Sequence, residues 1–186
     1  KVSIIICVLN GEKSIYKTLE SILNQDYKDF ELIIIDGGST DNTVEIIKSL
    51  NSPMIRWISE SDKGLSDAFN KGIKLATGDY INFQGDGDGF INSSSISDLF
   101  SNIDLKEKPV VCCNIQRIDI NGNLIYKTKI KKRFDKKSLL FKMSLPHQGL
   151  FIPKEFFAKY GEFDLNNKYC MDYELLLRSY NNFPKV

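Results

Sequence analysis

Asp86 and Asp88 stand two residues apart in a glycine-spaced loop, Gly85-Asp86-Gly87-Asp88-Gly89, directly after the apolar run Tyr80-Ile81-Asn82-Phe83. Glycines at alternate positions reach backbone angles closed to other residues, so the two carboxylates can turn toward one point. At about 4 Å two unit charges repel by roughly 4 kcal/mol at an effective dielectric of 20, so such a pair seeks a cation, a shared proton or open water. A divalent ion held by both acids, with water and phosphate oxygens in its other positions, is the chemistry that this spacing suits. The competing reading is a solvated turn, because Asp and Gly are ordinary turn residues. An EF-hand is excluded: its later ligands fall where Phe90 and Ser97 stand. A dinucleotide fingerprint is excluded as well, since its glycines belong in the first strand-to-helix turn, which here reads Val8-Leu9-Asn10-Gly11.

Three more acids, Asp36, Asp62 and Asp172, each close a predicted strand or precede a predicted helix. His147 is the only histidine, so a Ser-His-Asp or Cys-His hydrolase would have to be built on it, and neither a Gly-x-Ser-x-Gly elbow nor a Walker loop occurs. Cys7, Cys112, Cys113 and Cys170 lack CxxC spacing. Neighbouring strand residues point to opposite faces, so Cys112 and Cys113 suit neither a zinc site nor a mutual disulfide, and reduced, mostly buried thiols are expected. The acids that remain suit metal-assisted transfer from a nucleotide-activated donor.

The elements that must position these groups follow from periodicity. Val2 to Leu9 is a near-continuous apolar run, as in a parallel strand covered on both faces. Ile15, Leu19, Ile22 and Leu23 recur at helical spacing behind a Ser14 cap, the helix ending near Asp26. Glu31 to Asp36 is a second strand, Val44, Ile47 and Leu50 mark a second helix, and Met54 to Ile58 a third strand. The alternation predicts a parallel sheet with right-handed crossovers and a ligand site beyond the strands' carboxyl ends, where Asn10, Asp36 and Asp62 fall. A helix over Leu65 to Ala76, with Leu65, Ala68, Phe69, Gly72, Ile73 and Ala76 inward and Gly78 as its stop, leads to the acidic strand. Ile96, Leu99, Phe100 and Ile103 mark a short helix. Beyond Pro109 the pattern becomes antiparallel or mixed: strands over Val110 to Ile118 and Leu124 to Ile130 meet at Asn121-Gly122, a hairpin dipeptide. The basic stretch Lys127 to Lys137 reads first as a solvated face, with contact to anionic substrate or lipid headgroups as the second reading. Leu145 to Ile152 is a strand containing His147, Pro153 opens a helix, and Cys170 to Arg178 a last one with acids at its start.

With 186 residues the chain suits one domain with a substantial core. A net charge of +1, from 25 basic and 24 acidic residues, leaves no global attraction to nucleic acid, so any anion site is local. No apolar run reaches the length of a bilayer span and no signal peptide opens the chain, so a cytoplasmic protein is expected.

Ile35-Asp36-Gly37-Gly38-Ser39-Thr40-Asp41-Asn42-Thr43 resembles the "DGGSTDGT" segment of family 2 glycosyltransferases. Asp62-Lys63-Gly64-Leu65-Ser66-Asp67-Ala68-Phe69-Asn70-Lys71-Gly72 resembles their "DxGiyDAmNKGi" segment, and Ala76 to Tyr80 follows as "AtGeyi". Pro146-His147-Gln148 and Asp172 to Arg178 match the later "HQ" and "DYdLllr" segments. The similarity spans nearly the whole chain in the family's order. One departure is the glycine between Asp86 and Asp88, where relatives carry Asp-x-Asp or adjacent acids.

The resemblance implies a GT-A fold: a nucleotide-sugar-binding half over 1–105 with a parallel sheet and flanking helices, and a mixed or antiparallel acceptor-binding half over 106–186. It implies an inverting enzyme of the bacterial surface-polysaccharide type that moves a hexosyl or N-acetylhexosaminyl group from a nucleotide-diphosphate sugar, with UDP expected. The acceptor would be a hydroxyl of a glycan or lipid-linked saccharide. Asp172 would be the catalytic base. Mn2+ or Mg2+ would sit on Asp88, helped by Asp86. Asn10, Glu12, Asp36, Ser39, Asp62, Lys63, Gly64, Asn70, His147 and Gln148 would line the substrate site. The resemblance leaves room for peripheral association with the inner face of the cell membrane and for a homodimer. The alternatives are a sugar-phosphate nucleotidyltransferase, which would want a glycine- and arginine-rich loop after the first strand, and a non-catalytic carbohydrate-binding protein of the same fold.

Overall fold

The computed structural model describes residues 1–101, 103–130 and 134–186. The chain begins with β1 (Val2–Val8), α1 (Ile15–Leu23), β2 (Phe30–Asp36), α2 (Thr43–Ser49), β3 (Ile55–Ser59), α3 (Leu65–Leu75) and β4 (Tyr80–Gly85). After α4 (Ser95–Phe100) come β5 (Val111–Cys112), β6 (Gln116–Ile118), β7 (Leu124–Lys127), β8 (Leu150–Pro153), α5 (Lys154–Tyr160) and α6 (Met171–Arg178). Six strands form one sheet in the order β3-β2-β1-β4-β8-β5. β1 pairs parallel with β2 and β4, and β2 with β3. β8 then runs antiparallel to both β4 and β5. The strand order reverses between β1 and β4, the switch point at which open α/β sheets leave a crevice beyond their carboxyl ends.

Burial follows the apolar runs. Every residue of β1 and β2 is buried, as sheets covered on both faces require. One core layer packs Ile5, Ile33, Phe69, Phe83, Phe157 and Leu175 together, and the other packs Ile4, Ile34, Leu19, Ile22, Tyr80 and Phe151.

Several local expectations change in the fold. Ser14 occupies the N-cap of α1 but caps nothing with its side chain: its hydroxyl donates to Asp86 instead, and the helix ends at Leu23. Leu65, expected inward on α3, is half exposed because it opens onto a cleft. Gly78 is not the stop of α3, whose cap is Ala76 in an extended conformation. A Cβ on Gly78 would lie 2.7 Å from the Ser3 amide, so glycine is needed there for close approach to the start of β1. The strand expected over Val110 to Ile118 is split into β5 and β6, and His147 lies in a short 3-10 turn ahead of β8. All four cysteines are free; Cys7 is buried, but Cys170 is exposed. The basic stretch Lys127 to Lys137 includes 131–133, which lie outside the described residues.

Glu31 ties the start of the sheet to the end of α3. Burial would raise its carboxyl, but hydrogen bonds from the Ser3 hydroxyl and the Thr77 amide and hydroxyl, with the Lys1 charge, bring it down from the usual 4.5 to about 2. A depressed acid contributes stability above its unfolded value and loses it as pH falls through the folded one, here from 4.5 toward about 2. At 1.36 kcal/mol per unit the contribution at neutral pH is about 3 kcal/mol. Unfolding in urea of the parent and of Glu31→Gln should therefore differ most at neutral pH and converge as pH drops from about 5 to about 2. A gap that stays constant over that range would refute the assignment.

Candidate active site

The acidic loop hangs from the end of β4, the strand at the middle of the sheet. Asp88 closes a tight turn, donating its amide to the Gly85 carbonyl at 3.1 Å and accepting the Gly85 amide on Oδ2 at 2.8 Å. Gly87 has φ +90°, the left-handed region that glycine enters without strain. Its amide is held by the Thr18 hydroxyl of α1 at 3.0 Å. Asp86 turns toward α1, with Oδ2 accepting the Ser14 hydroxyl at 2.7 Å, while its Oδ1 is buried without a partner. Burial pushes the Asp86 carboxyl up, against the hydrogen bonds from Ser14 and Gly87, and the charges of Asp41 and Asp88 add to the rise.

These acids fit a divalent cation. Asp88 and Asp86 offer hard carboxylate oxygens, the Asp86 Oδ1 is an orphaned buried acceptor, and a cation would relieve both its desolvation and its repulsion from Asp88. Among the described residues no group of three or more His, Cys, Asp and Glu side chains gathers to hold a metal, so further ligands would have to come from the substrate or water.

Asp88, His147, Gln148 and Asp172 line a cleft of about 540 Å³. His147 stacks on Phe83 with centroids 5.6 Å apart and is flanked by Phe69 and Phe163. Burial pushes the imidazole down, against the pull of Asp172 and Asp88, which favours the neutral ring. Its Nδ1 lies 3.9 Å from Asp172 Oδ2 and its Nε2 is buried without a partner. The turn that carries His147 and Gln148 is fixed from β4: Asn82 and Gln84 donate to the Gln148 carbonyl at 3.0 and 2.9 Å.

Asp172 sits in the first turn of α6, where the helix dipole favours negative charge. Met171, Leu175 and Leu176 bury one side of that helix, and the Tyr173 hydroxyl donates to the Leu139 carbonyl. Asp172 Oδ1 accepts the Tyr173 amide at 2.8 Å. Glu174 is occupied by Arg178 at 2.7 Å, which leaves Asp172 the acid of this turn that faces the cleft.

A second cluster gathers at the ends of β1 and β2. Asn10, at φ +54°, accepts the Thr40 amide on Oδ1 at 2.9 Å and donates its own amide to Ser39 Oγ at 2.7 Å. Glu12 Oε2 accepts the Asn42 amide and side chain at 3.2 and 3.1 Å. Asp62 accepts the Gly64 amide at 2.8 Å and lies over Gly37, while Lys63 and Gly64 are exposed. Two residues expected at the substrate site are buried and already bonded within the protein. Asp36 is wholly buried, its carboxylate taken by the Gly38 and Ser39 amides, the Ser39 hydroxyl and the Ser59 hydroxyl at 2.6 Å, so it holds the loop rather than presenting a free acceptor. Asn70 is buried and clamps Phe163 by two 2.9 Å hydrogen bonds, amide to carbonyl in both directions.

The cleft also takes Tyr126, Thr128, Lys129 and Ile130 from the segment after β6, and Lys168 and Tyr169 from the loop before α6. Periodicity gave no signal for these, because their place depends on where the hairpin docks. Ser14, expected as a cap, and Thr18, which carries no sequence signal of its own, hold the acidic loop with their hydroxyls.

The fold agrees with solved structures. The chain superposes on S. aureus TarS 1–349 with a TM-score of 0.77 at 22% identity, covering 98% of this chain and 56% of that one. The same protein has been solved with UDP-GlcNAc. A mannosyltransferase from Pyrobaculum calidifontis, solved with GDP-Man and Mn2+, gives a TM-score of 0.75 at 15% identity, with 100% and 53% covered. The chain thus spans little more than half the length of these solved chains, and the architecture is GT-A. In sequence it is 30% identical over 187 residues to a PGL/p-HBAD biosynthesis glycosyltransferase of Mycobacterium bovis, covering 97% of this chain and 70% of that protein. It is 33% identical over 182 residues to chondroitin synthase of Escherichia coli, covering 95% of this chain and 26% of that one. The family profile described as glycosyl transferase family 2 matches residues 3–161, most of the length, and the chain belongs to that family.

Proposed function

We propose that this chain moves a sugar from a nucleoside-diphosphate sugar, with UDP as the expected nucleotide, to a hydroxyl of a glycan or lipid-linked saccharide, inverting the anomeric centre. The observation that carries the reading is that Asp88, at the end of β4, and Asp172, at the start of α6, line one cleft with His147 between them. The nucleotide complexes of the solved relatives support the donor class.

The loops bearing Asn10, Glu12, Ser39, Asp62, Lys63 and Gly64 would hold the nucleoside, with Asp36 acting through Ser39 and Asn10 as a positioning residue. Asp88 and Asp86 would hold Mn2+ or Mg2+, which supplies positive charge against the diphosphate. The Asp172 carboxylate takes the acceptor hydroxyl's proton as that oxygen bonds to the anomeric carbon. The bond from that carbon to the diphosphate oxygen breaks, and the electron pair leaves with the nucleoside diphosphate. One displacement inverts the centre. His147, packed between phenylalanines beside Asp172, would order the acceptor side together with Gln148.

Incubation with UDP-sugars and manganese should release UDP. Asp88→Asn should lower that rate by about a hundredfold or more, the scale of losing several kcal/mol of charge stabilisation. Release of pyrophosphate from a nucleoside triphosphate would favour a nucleotidyltransferase, and unchanged turnover in Asp88→Asn would remove the metal assignment.

A further inference from the structure

The hairpin formed by β6 and β7 stands apart from the main sheet, and every residue of both strands is exposed. It nevertheless carries aliphatic side chains at its end: Ile118, Leu124 and Ile125 are each 58% exposed, and Ile120 is fully so. An isolated two-stranded hairpin is marginal in water, and apolar residues gathered on one are a signature of an interaction surface. This one is braced to keep its shape. Asp119 accepts the Asn121 and Asn123 amides at 2.8 Å, Gly122 turns the chain at φ +85°, and Thr128 is bonded to Ile115 at the base.

Two features select the occupant. The bare aliphatic residues are spread along the hairpin's free end, with Ile118 on β6, Ile120 in the turn and Leu124 and Ile125 on β7. A lipid interface entered by that end covers all four together. The flanks are also cationic: between Gln116 and Ile130 the chain has Arg117, Lys127 and Lys129 against the single acid Asp119. None of the three cations has an acidic partner among the described residues. Asp119 is held ionised by the Asn123 side chain and amide, so the excess is two positive charges, complementary to an anionic surface.

We propose that the 116–127 hairpin is a membrane-surface anchor that inserts Ile118, Ile120, Leu124 and Ile125 among the headgroups of anionic lipids. Tyr126 and Lys129 of the same segment line the cleft, so docking brings the cleft to the lipid surface. The proposal does not depend on the transfer chemistry, because its test reads binding alone. Among the described residues no helix is long and apolar enough to cross a membrane.

The test is sedimentation of the whole chain with vesicles of phosphatidylcholine alone and of phosphatidylcholine mixed equally with phosphatidylglycerol. Binding is expected to the mixed vesicles and not to the neutral ones. Ile120→Ser combined with Ile125→Ser should weaken it by roughly tenfold or more, and Lys127→Gln by roughly fivefold, the effect of one basic residue near an anionic surface. All three positions are exposed, so an unmoved unfolding temperature would show that the fold is intact. Equal binding to both vesicles, no binding to either, or variants that bind like the parent would overturn the proposal. So would self-association that the isoleucine substitutions abolish without any vesicle binding, since a second copy would then be the occupant.

Discussion

Asp172→Asn is expected to reduce turnover by roughly a hundredfold to ten-thousandfold, the range attributed to a positioned general base, while leaving donor affinity and unfolding temperature near those of the parent. The substitution keeps the side chain's shape and its acceptor for the Tyr173 amide, and asparagine is tolerated at a helix start. What it removes is the capacity to take a proton. The neighbouring acid cannot substitute, because Glu174 is paired with Arg178 at 2.7 Å. Turnover and KM should be measured separately with a saturating acceptor, with UDP binding followed by calorimetry. A variant that binds donor normally and turns over at the parental rate would move the base elsewhere. A fall in donor affinity without loss of turnover would reassign Asp172 to binding.

Asp36→Ala is expected to destabilise the fold by about 3 kcal/mol or more, because it strands donors buried against a charged acceptor. Four of them converge on this carboxylate: the Gly38 and Ser39 amides and the Ser39 and Ser59 hydroxyls. Ser39 in turn receives the Asn10 amide, so the loss should propagate to the loop after β1. Urea unfolding without any nucleotide is the deciding measurement. A parental midpoint combined with weakened UDP binding would mean that Asp36 contacts the nucleoside directly, the role its position at a strand end first suggested.

The acids were legible in the sequence because strand ends and helix starts are local events. A buried apolar run that stops at Asp36, Gly85 or Asn10 places those residues at the carboxyl edge of a sheet whatever the rest of the chain does. The same reasoning could not show that Asp36 and Asn70 also have partners inside the protein, since a motif identifies a residue type at a place but not which of its acceptors are already engaged. Ser14 shows the same limit from the other side. Its position reads as a cap, and only the approach of the acidic loop draws its hydroxyl to Asp86 at 2.7 Å.

By itself the sequence determined the order of strands and helices, the parallel character of the first half, the turn at Asn121-Gly122 and the acids available for chemistry, because each depends on periodicity and turn stereochemistry within a few residues. The tertiary structure alone decided that β8 enters the sheet beside β4, that His147 lies 3.9 Å from Asp172 between three phenylalanines, and that the β6–β7 hairpin rims the cleft with its aliphatic residues bare. Those facts join residues far apart in the chain. They are fixed by which apolar faces can be buried together, a competition across the whole molecule that no local pattern records.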